Sequence, residues 1–394
     1  MEKIKVEDLT KVFGSNPKRA LELLKNGLSK DEIMGKTKLA VGVGGVSFEV
    51  YEGEILVIMG LSGSGKSTLI RCLNRLIEPT SGSIYVDGED ITKISQEELL
   101  QLRRKKIGMV FQKFALFPHK TVLENTEYGL EVQGIDPNTR GKKALDALEL
   151  VGLKGWETNY PDQLSGGMQQ RVGLARALAV DPDILLMDEA FSALDPLIKR
   201  EMQDELLALQ SRVQKTIVFI THDLDEAIKL GDRIILMKDG KIVQEGTPEE
   251  ILTHPATEYV KKFVENVDMS KVLTARSVMK RTGNVCFPKD GPRTALHKMQ
   301  EAGISSIFVV NKEHQVEGVV LAEMAVEAIK RGEKDLTNII EKDIKTVEPE
   351  TPVNDLFSLM TDIRYPLAVV EEDKKLIGVI VRGSILAGLA GGGN

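Results

Sequence analysis

The segment Gly60-Leu61-Ser62-Gly63-Ser64-Gly65-Lys66-Ser67-Thr68 combines three properties that phosphate chemistry needs. Its glycines let successive backbone N–H groups line one concave turn, which receives phosphate oxygens together with the start of a helix. Lys66 carries the charge to neutralise β- and γ-phosphates, and the Ser67 hydroxyl suits Mg2+. The spacing Gly60-x-x-x-x-Gly65-Lys66-Ser67 satisfies the P-loop pattern, with an apolar run before it and a helical pattern after it. A plain glycine-rich turn with a stray lysine would not need those flanks. A second pair of reactive groups, Asp188 and Glu189, closes the apolar run that starts at Ile184. Adjacent carboxylates at a strand end project to opposite sides, so they are expected to do different work. Asp188 is expected to hold Mg2+ through water, and Glu189 to orient or deprotonate an attacking water. His222 follows a third apolar run, where it could meet the γ-phosphate; a structural histidine is the alternative.

The elements that must position these groups are strands alternating with helices. Ile55–Met59, Ile184–Met187 and Thr216–Thr221 read as buried strands, and Thr139–Leu150, Gln169–Leu178 and Ile198–Val213 read as helices. That alternation predicts an α/β fold with a largely parallel sheet over residues 1–265. An inserted helix is expected over about residues 16–38, with Ala20, Leu21, Leu23, Leu24 and Leu28 as its apolar stripe. It either packs on the domain or presents its lysines to a membrane surface or partner.

After about Met269 an internal repeat appears. Pro292, Leu296, Val309 and Gly318 match Pro352, Leu356, Val369 and Gly378 at one constant offset of 60 residues. Each unit reads as helix, strand, charged turn, strand, helix, and two such units can bury each other's apolar faces. The expected boundaries are 1–265, 266–332 (linker and first unit) and 333–394 (second unit).

Composition limits the function classes. The 394 residues carry 52 basic and 59 acidic side chains, a net charge of −7, which gives no global case for nucleic-acid binding. Cys72 and Cys286 are too far apart in sequence to suggest a disulfide framework or a metal motif, as expected in a reducing compartment. The charged start at Met1 does not read as a signal peptide, and no apolar run reaches the ~18 residues of a membrane span. A cytoplasmic chain that meets a membrane only through a partner or its own surface is expected.

Leu164-Ser165-Gly166-Gly167-Met168-Gln169-Gln170-Arg171 narrows the choice, because with the preceding motifs it resembles the ATP-binding subunits of ABC transporters. Ser165, Gly166 and Gly167 open a helix whose free N–H groups suit an anion. The resemblance implies that this anion is the γ-phosphate on a second copy of the chain, so that two ATP molecules lie inside a homodimer. It also implies a Q-loop at Phe111-Gln112-Lys113, a D-loop at Ser192-Ala193-Leu194-Asp195, and His222 as switch histidine. Phe13, in Val12-Phe13-Gly14, becomes the adenine-stacking aromatic, with a core or surface phenylalanine as the alternative. The implied cofactors are ATP and Mg2+. Contacts to ATP are then expected from Phe13, Gly60, Ser62, Gly63, Ser64, Gly65, Lys66, Ser67, Thr68, Ser165, Gly166, Gly167 and Asp195. Metal contacts fall to Ser67, Gln112 and Asp188, and catalysis to Glu189, His222 and Gln112. Ala190 and Phe191 stand where many members have Pro and Thr.

The inserted helix, Glu189-Ala190-Phe191 and the trailing repeat together resemble one subgroup, the ATPases of glycine betaine/proline uptake systems in osmotic adjustment. That resemblance implies membrane permease chains, a substrate-binding protein and a position at the inner face of the membrane. The stretch Phe111 to Tyr128 would suit a permease helix, with core packing as the alternative. Soluble ABC ATPases of DNA repair or translation are the alternative class. They commonly carry coiled-coil insertions or two motif sets, and this chain has one set, no heptad insertion and no basic stripe. The repeat resembles a tandem CBS pair. Leu321 and Met324 in the first unit, and Val381 and Ser384 in the second, stand where nucleotide-binding members place Ser/Thr and Asp. An ionic-strength sensor or regulatory dimer, a cyclic-dinucleotide sensor and a structural dimer all remain open.

Overall fold

The apolar runs around the glycine-rich turn become neighbouring strands of one sheet. The structure is a computed structural model, and it describes residues 1–112, 114–192, 194–265, 270, 272–281, 283–361 and 363–389. Lys113 of the expected Q-loop, Ala193 of the expected D-loop, and parts of the expected linker and second repeat unit lie outside the described residues. The chain divides into two units, Met1–Glu265 and Asn266–Asn394.

In the first unit a six-stranded sheet runs in the order Lys241–Gly246, Arg233–Lys238, Ile55–Met59, Thr216–Thr221, Ile184–Asp188, Ile107–Val110. All its pairings are parallel except the first, which is a hairpin. The central strands are buried along their whole length, as strands covered by helices on both faces must be. Register matters most here. Met59 pairs with Thr221, Asp188 with Ile220, and Val110 with Met187. The chain therefore leaves four adjacent strands at one carboxyl edge, delivering Gly60, His222, Glu189 and Gln112 to the same crevice.

A separate four-stranded antiparallel sheet, which the alternation pattern does not reveal, has the order Ala40–Tyr51, Glu2–Phe13, Ser81–Val86, Glu89–Asp90. Ile4, Val6, Phe48 and Ile84 from it share one buried core with Leu56, Ile58, Leu69 and Ile70. The expected single inserted helix is two, Pro17–Lys25 and Lys30–Thr37. Gly27 adopts φ 81°, a conformation that ends the first helix, and the Ser29 side chain caps the second. Their apolar stripe packs inward, with Ala20 and Ile33 buried beside Val12, Leu39 and Val41. Helices Val122–Val132, Pro137–Leu150 and Gly166–Ala179 pack on one another as a helical subdomain.

The second unit holds two three-stranded sheets, Val285–Cys286, Ser306–Val310, Val316–Leu321 and Thr346–Val347, Leu367–Val370, Leu376–Ile380. The repeat is visible in the register. Val309 faces Gly318 in one sheet and Val369 faces Gly378 in the other, each followed by the same irregularity. Phe308 and Val319 share a buried cluster with Tyr365, Ala368 and Val370, so each repeat covers the other. Among the described residues no helix is long and apolar enough to cross a membrane.

Candidate active site

The glycine-rich turn links Ile55–Met59 to the helix Lys66–Leu73. Gly65 has φ 104°, and a methyl group there would lie 2.2 Å from the Gly42 carbonyl oxygen. Only glycine fits that approach. Lys66 is 5% exposed, and its ammonium donates to the carbonyls of Gly60 at 2.7 Å and Leu61 at 3.1 Å. Burial pushes its pKa below the usual lysine range, against the pull of Glu189 and Asp188. The Ser64 hydroxyl is buried and has no hydrogen-bond partner. A buried cation held only by carbonyl dipoles and an orphaned hydroxyl, both at a glycine-rich turn that leads into a helix N-terminus, form a cradle that suits phosphate.

Ser67 and Asp188 meet directly. The Ser67 hydroxyl donates to Asp188 Oδ1 at 2.9 Å, and Arg71 donates to Asp188 Oδ2 at 3.0 Å. Asp188 is fully buried, so its charge depends on those two donors. Arg71 was not foreseen, although it stands four residues after Ser67 on one helix face. Glu189 leaves the strand with φ 48°, a conformation uncommon for a residue with a Cβ. Its backbone N–H is tied to the Ile220 carbonyl at 3.1 Å, and its carboxylate has partners other than those of Asp188. Gln112 Nε2 donates to Glu189 Oε2 at 2.8 Å, and His222 Nδ1 lies 3.8 Å from Glu189 Oε1. Phe191, fully buried against Phe219, explains the aromatic that follows Ala190.

Phe13 is 41% exposed and stands beside the loop helix. A methyl group on Gly42 would touch Phe13 at 2.8 Å and Thr68 at 3.0 Å. Ser62 and Gly63 are exposed at the tip of the turn. The structure thus brings together Phe13, Gly60 to Thr68, Gln112, Asp188, Glu189 and His222.

Among the described residues, no hydrogen bond or ion pair joins Ser165, Gly166 or Gly167 to that cluster. Ser165 and Gly166 are exposed, and the Ser165 hydroxyl caps the helix Gly166–Ala179 by accepting from Met168 N–H at 3.3 Å. Asp195 caps the helix Pro196–Val213, accepting from Leu197 and Ile198 N–H at 3.1 and 3.2 Å. These two helices pack closely, since a methyl group on Gly167 would lie 2.8 Å from Ile198.

Three basic residues connect these parts, of which sequence reasoning named only Arg171, as the end of the Leu164–Arg171 segment. Arg176 on the Ser165-capped helix donates to the carbonyls of Phe114 and Ala115, just beyond Gln112, at 3.1 and 2.6 Å. Arg171 reaches Glu201 and Glu205 at 3.5 and 3.3 Å. Lys199, one turn beyond Asp195, pairs with Asp223 at 2.6 Å and with buried Glu226 at 3.0 Å. Thr221 donates to the same Glu226, so both sides of His222 are tied to the helix after Asp195.

The family model "ABC transporter" matches residues 43–192, and "CBS domain" matches residues 272–331 and 335–391. The chain is 60% identical to the glycine betaine transport ATP-binding protein OpuAA of Bacillus subtilis, over 99% of this chain and 93% of the relative. It is 56% identical to the glycine betaine/carnitine transport ATP-binding protein GbuA of Listeria monocytogenes, over 99% and 98%. Identity to the glycine betaine/proline betaine transport system ATP-binding protein ProV of Escherichia coli is 50%, over 98% and 97%. Among solved structures, the dimeric post-hydrolysis state of the ATP-binding cassette MJ0796 with ADP and Pi superposes with a TM-score of 0.54 at 35% identity. It covers 62% of this chain and 98% of that one.

Proposed function

The chain belongs to the ABC transporter family of ATP-binding proteins, and on that premise we propose that it energises uptake of glycine betaine or proline. The observation that carries this reading is the cluster of Gln112, Glu189 and His222 beside the Lys66, Ser67 and Asp188 cradle. Phe13 stacks on the adenine, the N–H groups of Gly60 to Thr68 receive the phosphates, and Lys66 exchanges its carbonyl partners for β- and γ-oxygens. The oxygens of Ser67, Gln112 and Asp188 are hard donors suited to Mg2+, which supplies charge neutralisation when bound. Gln112 and His222 hold the Glu189 carboxylate, which takes a proton from water as that water attacks the γ-phosphorus and the bond to the β-phosphate oxygen breaks.

Exposed Ser165 and Gly166, with half-buried Gly167 beside them, have no bond to this cluster among the described residues; they meet the γ-phosphate held by a second copy, and Asp195 stands at the same interface. Closure of that homodimer on ATP drives the permease chains, to which a substrate-binding protein delivers the solute. The chain then sits at the inner face of the membrane through those partners.

The CBS pair regulates the cycle through a cyclic dinucleotide. Its support is a cleft of about 350 Å3 lined by Ser305, Leu321, Ala322, Glu323 and Arg364. Leu321 offers no ribose contact, so recognition falls to the Arg364 guanidinium, which lies 3.8 Å from the Glu323 carboxylate of the same cleft and exchanges that partner for a phosphate.

Reconstitution in vesicles with the permease chains and binding protein tests the whole reading, with ATP-dependent uptake of glycine betaine or proline as the expected result. ATP hydrolysis stimulated by nucleic acid or ribosomes, with no uptake, would move the chain to the soluble repair or translation class. Absence of cyclic-dinucleotide binding in calorimetry of the full chain would remove the regulatory part alone.

A further inference from the structure

The two inserted helices touch the phosphate-binding loop through one side chain. Lys30 opens the helix Lys30–Thr37, and its ammonium lies 3.0 Å from the Gly63 carbonyl oxygen and 3.2 Å from Asp239 Oδ1. A cation at the first position of a helix opposes the helix dipole, so helix formation alone does not favour lysine there. The position is nevertheless firmly set. Ser29 and Glu32 form a reciprocal capping box on either side of it, and Ile33 is fully buried one turn on. Leu39, just after the helix, packs so closely that a methyl group on Gly14 would lie 2.3 Å from its Cδ2. The insertion is therefore fixed to the strand end that carries Phe13.

The other side of the contact is equally built. Asp239 sits in the turn between Arg233–Lys238 and Lys241–Gly246 with φ 52°. Its neighbour Gly240 donates to the Ser64 carbonyl at 3.0 Å, and the Gly240 carbonyl accepts from Gly44 N–H at 2.8 Å. Two consecutive carbonyls of the loop, Gly63 and Ser64, are thus held from outside the cradle. A trans peptide sets its N–H opposite its C=O, so holding the Ser64 carbonyl outward turns the Gly65 N–H inward. The preceding peptide is held at both its groups: the Ser64 N–H donates to the Leu61 carbonyl at 3.1 Å within the turn, and among the described residues Lys30 alone hydrogen-bonds the Gly63 carbonyl at the exposed tip.

We propose that Lys30 is a positioning residue for nucleotide binding, through which the inserted helices hold the phosphate-binding loop in its receiving shape. The proposal rests on the reading that Gly60 to Thr68 bind ATP. Because Lys30 acts through the Gly63 carbonyl, it affects binding of ATP and ADP alike and leaves the chemical step alone.

Calorimetric titration of the full chain with ATP and with ADP, alongside steady-state hydrolysis, tests this. Losing one charge-assisted hydrogen bond is expected to raise both Kd values about tenfold in Lys30→Met. The same variant is expected to keep kcat within about twofold of the unaltered chain, and Lys30→Arg to restore the Kd values to a similar margin. Lys30→Gln provides a second variant, with thermal melting to show that each is folded. Unchanged Kd values in a folded Lys30→Met, or a loss confined to kcat, would overturn the proposal. Lys66→Ala is the control for the underlying reading: nucleotide binding that survives it would overturn that reading, whatever Lys30 does.

Discussion

The two units bury very different chemistry. Among its described residues the first conceals five charged side chains, Glu54, Lys66, Arg75, Asp188 and Glu226, each under 10% exposed. Among the described residues of the second, the buried polar side chains are three serines, Ser270, Ser306 and Ser384. A buried charge is costly unless partners compensate it, so it persists where a network or a reaction uses it. Lys66 and Asp188 belong to the proposed phosphate cradle, and Glu226 links the strand end at Thr221 to Lys199. An apolar core with satisfied hydroxyls, as in the second unit, needs only to hold its own shape. The first unit therefore displays its chemistry in its interior, and the second exposes whatever it recognises at its surface clefts.

Substitutions that sharpen this contrast have effects of graded size. Leu356, fully buried in the second unit, is expected to cost about 3 kcal/mol on truncation to alanine. Calorimetry should show only the second unit's transition shifted, with ATP hydrolysis at 25 °C unchanged. A parallel fall in the first unit's transition would mean that the two cores are not independent. Lys199→Ala leaves the Glu226 carboxylate short of a partner and should cost the first unit about 2 kcal/mol, recovered largely by Lys199→Arg. A melting curve unmoved by Lys199→Ala would deny that link any weight.

The last contrast concerns the two thiols, one in each unit and both buried. Burial pushes Cys72 up to about 12 and Cys286 up to about 11, so both stay protonated at pH 8. Since the thiolate is the reactive form, alkylation in the native chain should be at least about 100-fold slower than for a free thiol. Added ATP should slow Cys72 further, because it lies on the helix that opens with Lys66, and leave Cys286 unaffected. Equal protection of both would erase the distinction between the units.

Much of this was legible in the residues themselves. Gly60, Gly65, Lys66, Ser67, Asp188, Glu189 and His222 stand at the ends of apolar runs, and a strand end in a parallel sheet leads into the crevice. The repeat was equally plain, because a constant offset survives in the pairing of Val309 with Gly318 and Val369 with Gly378. The antiparallel sheet escaped notice because its strands are separated by the inserted helices and by the loop helix. The inserted region reads as one helix because its leucine stripe continues past Gly27 to Leu28, and Ile33 and Met34 extend the apolar pattern into the second. Arg71 and Lys199 follow Ser67 and Asp195 by four residues and were within reach of helical periodicity. Lys30 and Arg176 act on backbone carbonyls 33 and about 60 residues away in sequence, and no local pattern marks such partners.

The central claim is that Glu189, held by Gln112 and facing His222, takes the proton from the attacking water. Steady-state hydrolysis of Glu189→Gln, measured together with retained nucleotide and oligomeric state, tests it most directly. The account predicts turnover lowered by about 10²–10⁴-fold, with ATP trapped in a stable homodimer. Hydrolysis within about twofold of the unaltered chain would contradict it.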